Sequence, residues 1–418
     1  MITDVLVYVS IDDQDVLAGH LYSHRRRGSE SASFTYDPQY LARPDAYALD
    51  PQLPLLAGTQ QTPVGLALFP AFADSSPDRW GRNLIQRRER LRAREEGRTD
   101  RSYGEFDLLL GVRDDLRQGA LRFRADPDGT FLATETEGVP LLTDLPGLLG
   151  AADRVDADTA DRADLAALVR AGSSLGGARP KAHVLDATGT LAIAKFPSPS
   201  ADQWNVMAWE RTALELARVA GITVPDSHLV TIGGRDVLIV DRFDRRDGHR
   251  IGYASALTML EASVGDLRSY LDIAAVVEER SGAATSELEQ LWRRIAFSVL
   301  ISNTDDHLRN HGFLHRTGDV WELSPAFDLN PNPDAGPKHL ATAIADDTVA
   351  SIDAVMAVAP LFRLREDRAR HVLIQVVQAC DRWSVVATKT GLSSRDVENM
   401  AAAFEHPQAE RARSLIIS

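Results

Sequence analysis

Two stretches of this chain concentrate side chains able to do chemistry. The first is Asn303-Thr304-Asp305-Asp306-His307-Leu308-Arg309-Asn310-His311-Gly312, and the second is Ser324-Pro325-Ala326-Phe327-Asp328-Leu329. They set Asp305, Asn310 and Asp328 at short intervals between apolar segments. Phosphoryl transfer needs this set, a carboxylate to orient a hydroxyl and oxygen ligands to hold Mg²⁺ on the phosphates. A zinc reading competes, because His307, His311 and His315 recur every fourth residue and would share one face of a helix. Gly312 interrupts that span, and the glutamate of an H-E-x-x-H site is missing. A structural role suits the histidines better, with His307 bracing the loop through a backbone hydrogen bond.

Other elements have to position those groups. Ala171-Gly172-Ser173-Ser174-Leu175-Gly176-Gly177-Ala178-Arg179-Pro180-Lys181 is a glycine-rich loop before a strand. Glycines let backbone N–H groups approach phosphates, and a lysine can meet their charge. The spacing is neither Walker A nor G-x-G-x-x-G, so a plain tight turn is the alternative. Residues 181 to 196 read as a β-hairpin around the turn Asp186-Ala187-Thr188-Gly189. By strand alternation Lys195 shares a buried-looking face with Leu191 and Ile193. It either snorkels to water or meets nucleotide phosphates and a helix carboxylate. Glu210 is the candidate carboxylate, in a helix running from about residue 203 to 220 and capped by Gly221. Val237-Leu238-Ile239-Val240 is a further strand, leading into Asp241-Arg242-Phe243.

The remaining chain frames this arrangement. At 418 residues it suggests two or three domains. The spans expected are 1–112 (N-terminal subdomain), 113–246 (mixed lobe with glycine loop and hinge) and 247–418 (helical lobe). Val5 to Val9 reads as a strand, the proline-rich stretch 37 to 72 excludes long elements, and a helix covers Asp78 to Glu96. Residues 113 to 166 read as a mixed connecting region of short strands and polar turns. Helices are expected at 288 to 302, 361 to 382 and 394 to 404. The net charge of −14 argues against a protein coating nucleic acid through its whole surface. Cys380 is alone, which fits a reducing cytosol. The N-terminus lacks a signal-peptide pattern and no run is long enough for a membrane span, so a cytoplasmic protein is expected. Nine arginines between Arg79 and Arg101 make either a solvated, ion-paired helix or a contact for a partner or a DNA backbone.

Glycine loop, strand lysine, helix glutamate, hinge, Asp305, Asn310 and Asp328 follow one another in the linear order of a bilobal protein kinase. The chain resembles the HipA family of bacterial serine/threonine kinase toxins. The resemblance rests on Ser174 to Lys181, on Val240-Asp241-Arg242-Phe243-Asp244-Arg245, on Asn303 to Asn310 and on Ser324 to Leu329. Phe72-Ala73-Asp74-Ser75-Ser76-Pro77-Asp78-Arg79-Trp80-Gly81 is similar to the family's N-terminal segment. The fold so implied is α+β and protein-kinase-like, with an added N-terminal subdomain and a mostly helical C-lobe.

The resemblance also implies roles. Asp305 matches the catalytic aspartate, Asn310 and Asp328 the Mg²⁺ ligands, and Lys195 the lysine on the α- and β-phosphates of ATP. Ser174, Gly176, Gly177, Ala178 and Lys181 match the nucleotide loop. Asp241 and Phe243 lie in the adenine-reading hinge, and Asp244 is expected at the ribose. Ser174 matches the autophosphorylated serine that switches the kinase off, with Ser173 as the adjacent alternative. Implied partners are a small helix-turn-helix DNA-binding antitoxin of the HipB kind and a protein substrate such as an aminoacyl-tRNA synthetase. Any DNA contact would run through the antitoxin complex. Asp306 stands where some relatives carry glycine; it either binds metal or faces solvent, and the second is expected. Arg179-Pro180 replaces a polar-acidic pair. A small-molecule kinase and a degenerate kinase acting as a binding module or corepressor are the competing functions.

Overall fold

A computed structural model describes residues 2–12, 14–26, 28–134, 138–172, 179–334 and 336–417. The chain divides into two units, Met1–Ala201 with Ile239–Ala254 and Leu314–Asp319, and Asp202–Leu238 with Ser255–Phe313 and Val320–Ser418.

In the first unit, strands β1 (Asp4–Ile11), β2 (Gln14–Arg26), β3 (Ser29–Tyr36), β4 (Thr59–Gln61) and β5 (Leu121–Arg124) form one antiparallel sheet in the order β4-β3-β2-β1-β5. The β-branched run in β1 is buried on both faces, which puts that strand inside the sheet between β2 and β5. Phe34, Phe72 and Phe123 fill the core beneath it. The proline-rich stretch holds only short elements, the helices Pro38–Leu41 and Pro70–Asp74 and strand β4, as expected. Its backbone is satisfied by side chains: Tyr36 donates to the Leu53 carbonyl, and Asp50 accepts from Ala71 N–H at 2.6 Å.

The arginine-rich segment is a helix, Arg79–Glu95, capped by Asp78. Residues 113 to 166 depart from the sequence reading. Beyond β5 they fold into the helix Leu145–Asp156 and enter a second, Arg162–Arg170. Pro146 sits in the first turn, where its missing N–H costs nothing. Leu145, Leu148, Leu149, Ala152 and Val155 supply the buried face, and an Arg154–Asp164 ion pair joins the two helices. Gly172, at φ +76, then turns the chain toward β6 (Lys181–Leu185). A Cβ there would come within 2.7 Å of Leu116 and 2.9 Å of His183. β6 pairs with β7 (Leu191–Lys195) around the expected Asp186–Gly189 turn.

The second unit is mostly helical. Helix Val206–Val219 is capped by Asn205 and ends before Gly221, whose φ of +79 suits it to that place. β8 (Ser227–Ile232) and the start of β9 (Arg235–Asp241) make a hairpin on Gly233-Gly234, both at positive φ. Helices Tyr270–Arg280, Ala284–Leu300, Glu366–Cys380, Trp383–Lys389, Ser394–Phe404 and Pro407–Ile417 follow. Trp383 stacks on Phe404 in their core, with Trp209 tilted against both. Among the described residues no helix is long and apolar enough to cross a membrane.

Candidate active site

In the second unit, helix Ala284–Leu300 delivers the loop carrying Asp305 and Asn310. Leu288, Leu291, Trp292 and Ile295 are fully buried, and the Trp292 indole donates to the Val355 carbonyl, so this helix cannot roll. At its exit Ser302 takes φ +53, a left-handed backbone that turns the chain sharply. Its hydroxyl donates to the Ala403 carbonyl at 3.1 Å. The loop then closes on itself. His307 N–H donates to the Asp305 carbonyl and Asn310 N–H to the His307 carbonyl. Asn310 Nδ2 donates to the Asp305 carbonyl at 3.0 Å. With its nitrogen engaged, the Asn310 amide offers Oδ1 as an acceptor.

Asp328 arrives on an irregular segment after the strand Val320–Leu323, itself at φ +57. The segment is pinned by Ala326 N–H on the Thr223 carbonyl and by Arg294 on the Ser324 carbonyl. Asn330 bridges the two loops. Its N–H donates to Asn303 Oδ1 and its Nδ2 to Asp328 Oδ1, both at 3.3 Å. Partial burial raises the Asp305 carboxyl above the usual carboxylate range. His307 opposes this, and the carboxylates of Asp328 and Asp306 add to it. Hard oxygen donors beside mutually repelling carboxylates fit a divalent cation such as Mg²⁺. The buried Oδ1 of Asn330, with no hydrogen-bond partner among the described residues, adds another acceptor there. Asn330→Ala should raise the Mg²⁺ concentration giving half-maximal ATP-dependent activity about tenfold, read from a Mg²⁺ titration.

Asp306 does not face solvent. It is 4% exposed, and accepts from Tyr270 Oη at 2.6 Å and Ser298 Oγ at 3.0 Å. His311 Nε2 lies 3.1 Å from its other oxygen, off the line of an ideal hydrogen bond. Thr342 Oγ1 donates to the Asp306 carbonyl. Despite burial, His311 and these hydroxyls hold the Asp306 carboxyl below its ordinary value. Neighbouring aspartates thus point opposite ways, Asp305 outward and Asp306 into the core. Sequence reasoning missed this anchor because Tyr270 lies far upstream. The one local signal was a histidine, His311, within reach of a doubled aspartate.

The zinc reading falls. His307 is exposed; its backbone closes the loop, and among the described residues it is the His311 ring that meets Asp306. Leu308–Asn310 is a 3₁₀ turn and Gly312–Thr317 a strand, so the histidines share no helix face. Among the described residues no cluster of three or more His, Cys, Asp or Glu side chains could hold a metal.

In the first unit Lys195 ends β7 on the face of Leu191 and Ile193. That face is half-exposed, whereas Ala192 and Ala194 on the other are fully buried, the reverse of the sequence reading. Alternation in the hinge is similar: Asp241 and Phe243 are half-exposed, Arg242 and Asp244 buried. Arg242 N–H donates to the Leu191 carbonyl, setting the hinge beside β7. Glu210 is buried in helix Val206–Val219 of the second unit.

Two expected nucleotide contacts are reassigned. Asp244 is 2% exposed, and its oxygens take Arg242 Nε and Nη2, Arg245 Nη1 and Gly119 N–H. Those bonds pull its carboxyl far down against burial. It knits residues 116–119 to the hinge and is closed to a ribose. Lys181 is 3% exposed and donates to Asp78 Oδ2 at 2.6 Å, while Asp78 Oδ1 caps Gly81 N–H. Its ammonium ties β6 to the N-terminus of helix Arg79–Glu95. Burial pushes the Asp78 carboxyl up, opposed by Lys181. Lys181→Met should cost about 3 kcal/mol in chemical denaturation at neutral pH by stranding a buried carboxylate. That deficit should narrow as acid protonates Asp78. Ser173, Ser174, Gly176, Gly177 and Ala178 lie outside the described residues.

The chain is similar to known proteins along most of its length. The family described as HipA N-terminal domain matches residues 9–123, and that described as HipA-like C-terminal domain matches residues 173–384. The HipA of Shewanella oneidensis, solved in a complex with HipB and its operator DNA, superposes with a TM-score of 0.68 at 17% identity, covering 99% of both chains. A Haemophilus influenzae protein named "Putative kinase" is 24% identical over 155 residues, 32% of this chain and 45% of its own length. "Putative kinase Y4dM" of Sinorhizobium fredii is 28% identical over 159 residues, 34% of this chain and 38% of its own. The chain thus spans less than half the length of these two curated relatives. The C-terminal match alone takes in just over half of the chain, which belongs to the HipA family.

Proposed function

We propose that this HipA-family chain is an ATP- and Mg²⁺-dependent serine/threonine protein kinase. We further propose that it is the cytoplasmic toxin of a pair whose small helix-turn-helix antitoxin resembles HipB. The observation that carries the reading is the joining of Asp305, Asn310 and Asp328 through one hydrogen-bonded pair of loops, with Asp305 electrostatically coupled to Asp328. Asp305 would take the acceptor hydroxyl's proton as its oxygen attacks the γ-phosphorus, the bond to the β-phosphate oxygen breaks and ADP leaves. Asn310 Oδ1 and Asp328 would hold Mg²⁺, which neutralises phosphate charge when bound. Lys195 would meet the α- and β-phosphates, with Leu191 and Ile193 on the same open face to flank the base.

The protein substrate is of the translation machinery, an aminoacyl-tRNA synthetase being the class the family suggests. Autophosphorylation of Ser174, or of adjacent Ser173, would place nearly two negative charges beside a site built for anionic phosphates and turn the enzyme off. The test is incubation with labelled ATP and Mg²⁺, with Asp305→Ala alongside and phosphosites mapped by mass spectrometry. Label on Ser173 or Ser174 in the parent alone supports the reading. No nucleotide binding and no label, in protein shown to be unphosphorylated beforehand, overturns it. Growth with and without the antitoxin separates a toxin from a housekeeping kinase.

A further inference from the structure

Helix Arg79–Glu95 carries more arginine than the kinase reading uses. At 100° per residue, Arg79, Asn83, Gln86, Arg90 and Arg94 fall within about 80° of one another, a single stripe roughly 22 Å long. All five are exposed. Every carboxylate of the helix and its cap lies off this stripe and is already engaged. Glu89 is buried and accepts from Arg98 Nη1 at 2.6 Å, from Arg101 N–H and from Tyr103. Its carboxyl is pulled down to about 2, first by Arg98. Glu96 pairs with Arg92 and Arg98, and Glu95 with Arg162. Arg79, Arg90 and Arg94 make no ion pair among the described residues. The acidic side chains are therefore neutralised by other arginines and, at Asp78, by Lys181, so the three guanidinium groups of this stripe stand uncompensated on an acidic protein of net charge −14.

The composition of the stripe indicates its partner. A protein interface needs apolar or aromatic side chains at its centre, and this stripe has none. Guanidinium and amide donors alone are what phosphate oxygens take, arginine in bidentate fashion. We propose that the Arg79–Asn83–Gln86–Arg90–Arg94 face binds the phosphate backbone of duplex DNA directly, without reading its sequence. This site is independent of phosphoryl transfer and stands or falls apart from it.

Binding of the full-length chain to a fluorescent mixed-sequence duplex, followed by anisotropy across a salt series, tests the proposal. Three phosphate contacts give a log–log salt slope of about −2.7, so Kd should rise roughly 40-fold between 50 and 200 mM salt. Arg79→Gln/Arg90→Gln/Arg94→Gln should bring the slope near zero without lowering thermal stability, and each single change should remove about 0.9 of it. Arg365→Gln/Arg395→Gln, two exposed arginines of the other unit, should leave it unchanged. Three outcomes overturn the proposal: no binding by the parent at low salt, equal loss in the control variant, or poly-glutamate competing as well as the duplex charge for charge.

Discussion

Asp305→Ala is expected to cut phosphate transfer by about 10² to 10⁴-fold while nucleotide binding survives, because a positioned base contributes about that much. Among the described residues the Asp305 carboxylate takes no hydrogen bond; the loop is held by its carbonyl, which accepts from Asn310 and His307 whatever the side chain. The loss should therefore fall on kcat in ATP-dependent assays, with the melting curve little moved. Asp305→Asn sharpens the point. The folded protein raises the Asp305 carboxyl through burial and the charges of Asp328 and Asp306, opposed by His307, so folding works against its ionised form. Removing that charge should stabilise the fold slightly while abolishing activity. The same shift places the acid limb of the pH–rate profile above that of an ordinary aspartate. A limb at the ordinary aspartate value would count against Asp305 as the base.

Asp306→Ala is expected to do the opposite, with the fold suffering first. The substitution strands the hydroxyls of Tyr270 and Ser298, removes the carboxylate beside His311 and leaves the buried Arg294 without its counter-charge. Breaking a buried charged network of this kind costs about 3–5 kcal/mol, and four partners put this site near the upper figure. Urea unfolding at neutral pH measures it. The sign with pH follows from the lowered carboxyl: ionised Asp306 stabilises the folded state above the unfolded aspartate's value. That contribution is lost as pH falls through the lower folded value. Parent and variant should therefore converge in acid. Asp306→Asn, which keeps the shape and some hydrogen bonds, should fall between them. A loss below about 1 kcal/mol for Asp306→Ala would mean that the network does not anchor the loop.

Reading these neighbours from sequence succeeded where chemistry is local and failed where burial decides. The Asp305, Asn310 and Asp328 set was legible because its spacing is short and its oxygen donors are unusual between apolar segments. The hairpin of β6 and β7 and the helix behind Asn205 were legible through turn and cap residues. Lys181 was misread because its partner, Asp78, lies 103 positions away and a lysine before a strand carries no mark of burial. Asp244 was misread for a similar reason: the Arg-Phe-Asp-Arg pattern shows charges but not that Arg242 and Arg245 turn inward with it. Helix Leu145–Asp156 was hidden by a proline and glycines that a helix start tolerates.

The division of the chain has a consequence for its synthesis. The network that organises residues 114–119 draws on Arg242, Asp244, Arg245 and Arg250, and Tyr47 stacks on His315, so the first unit needs residues up to Asp319. Its first 201 residues must leave the ribosome and wait for the last of these partners. At 5–20 residues per second the next 118 take about 6 to 24 s. Throughout that interval β1 and the phenylalanines beneath it have neighbours but no finished unit. A chain that stops short of Asp319 therefore lacks part of the first unit's packing, and that packing is complete before Asp328 has been translated.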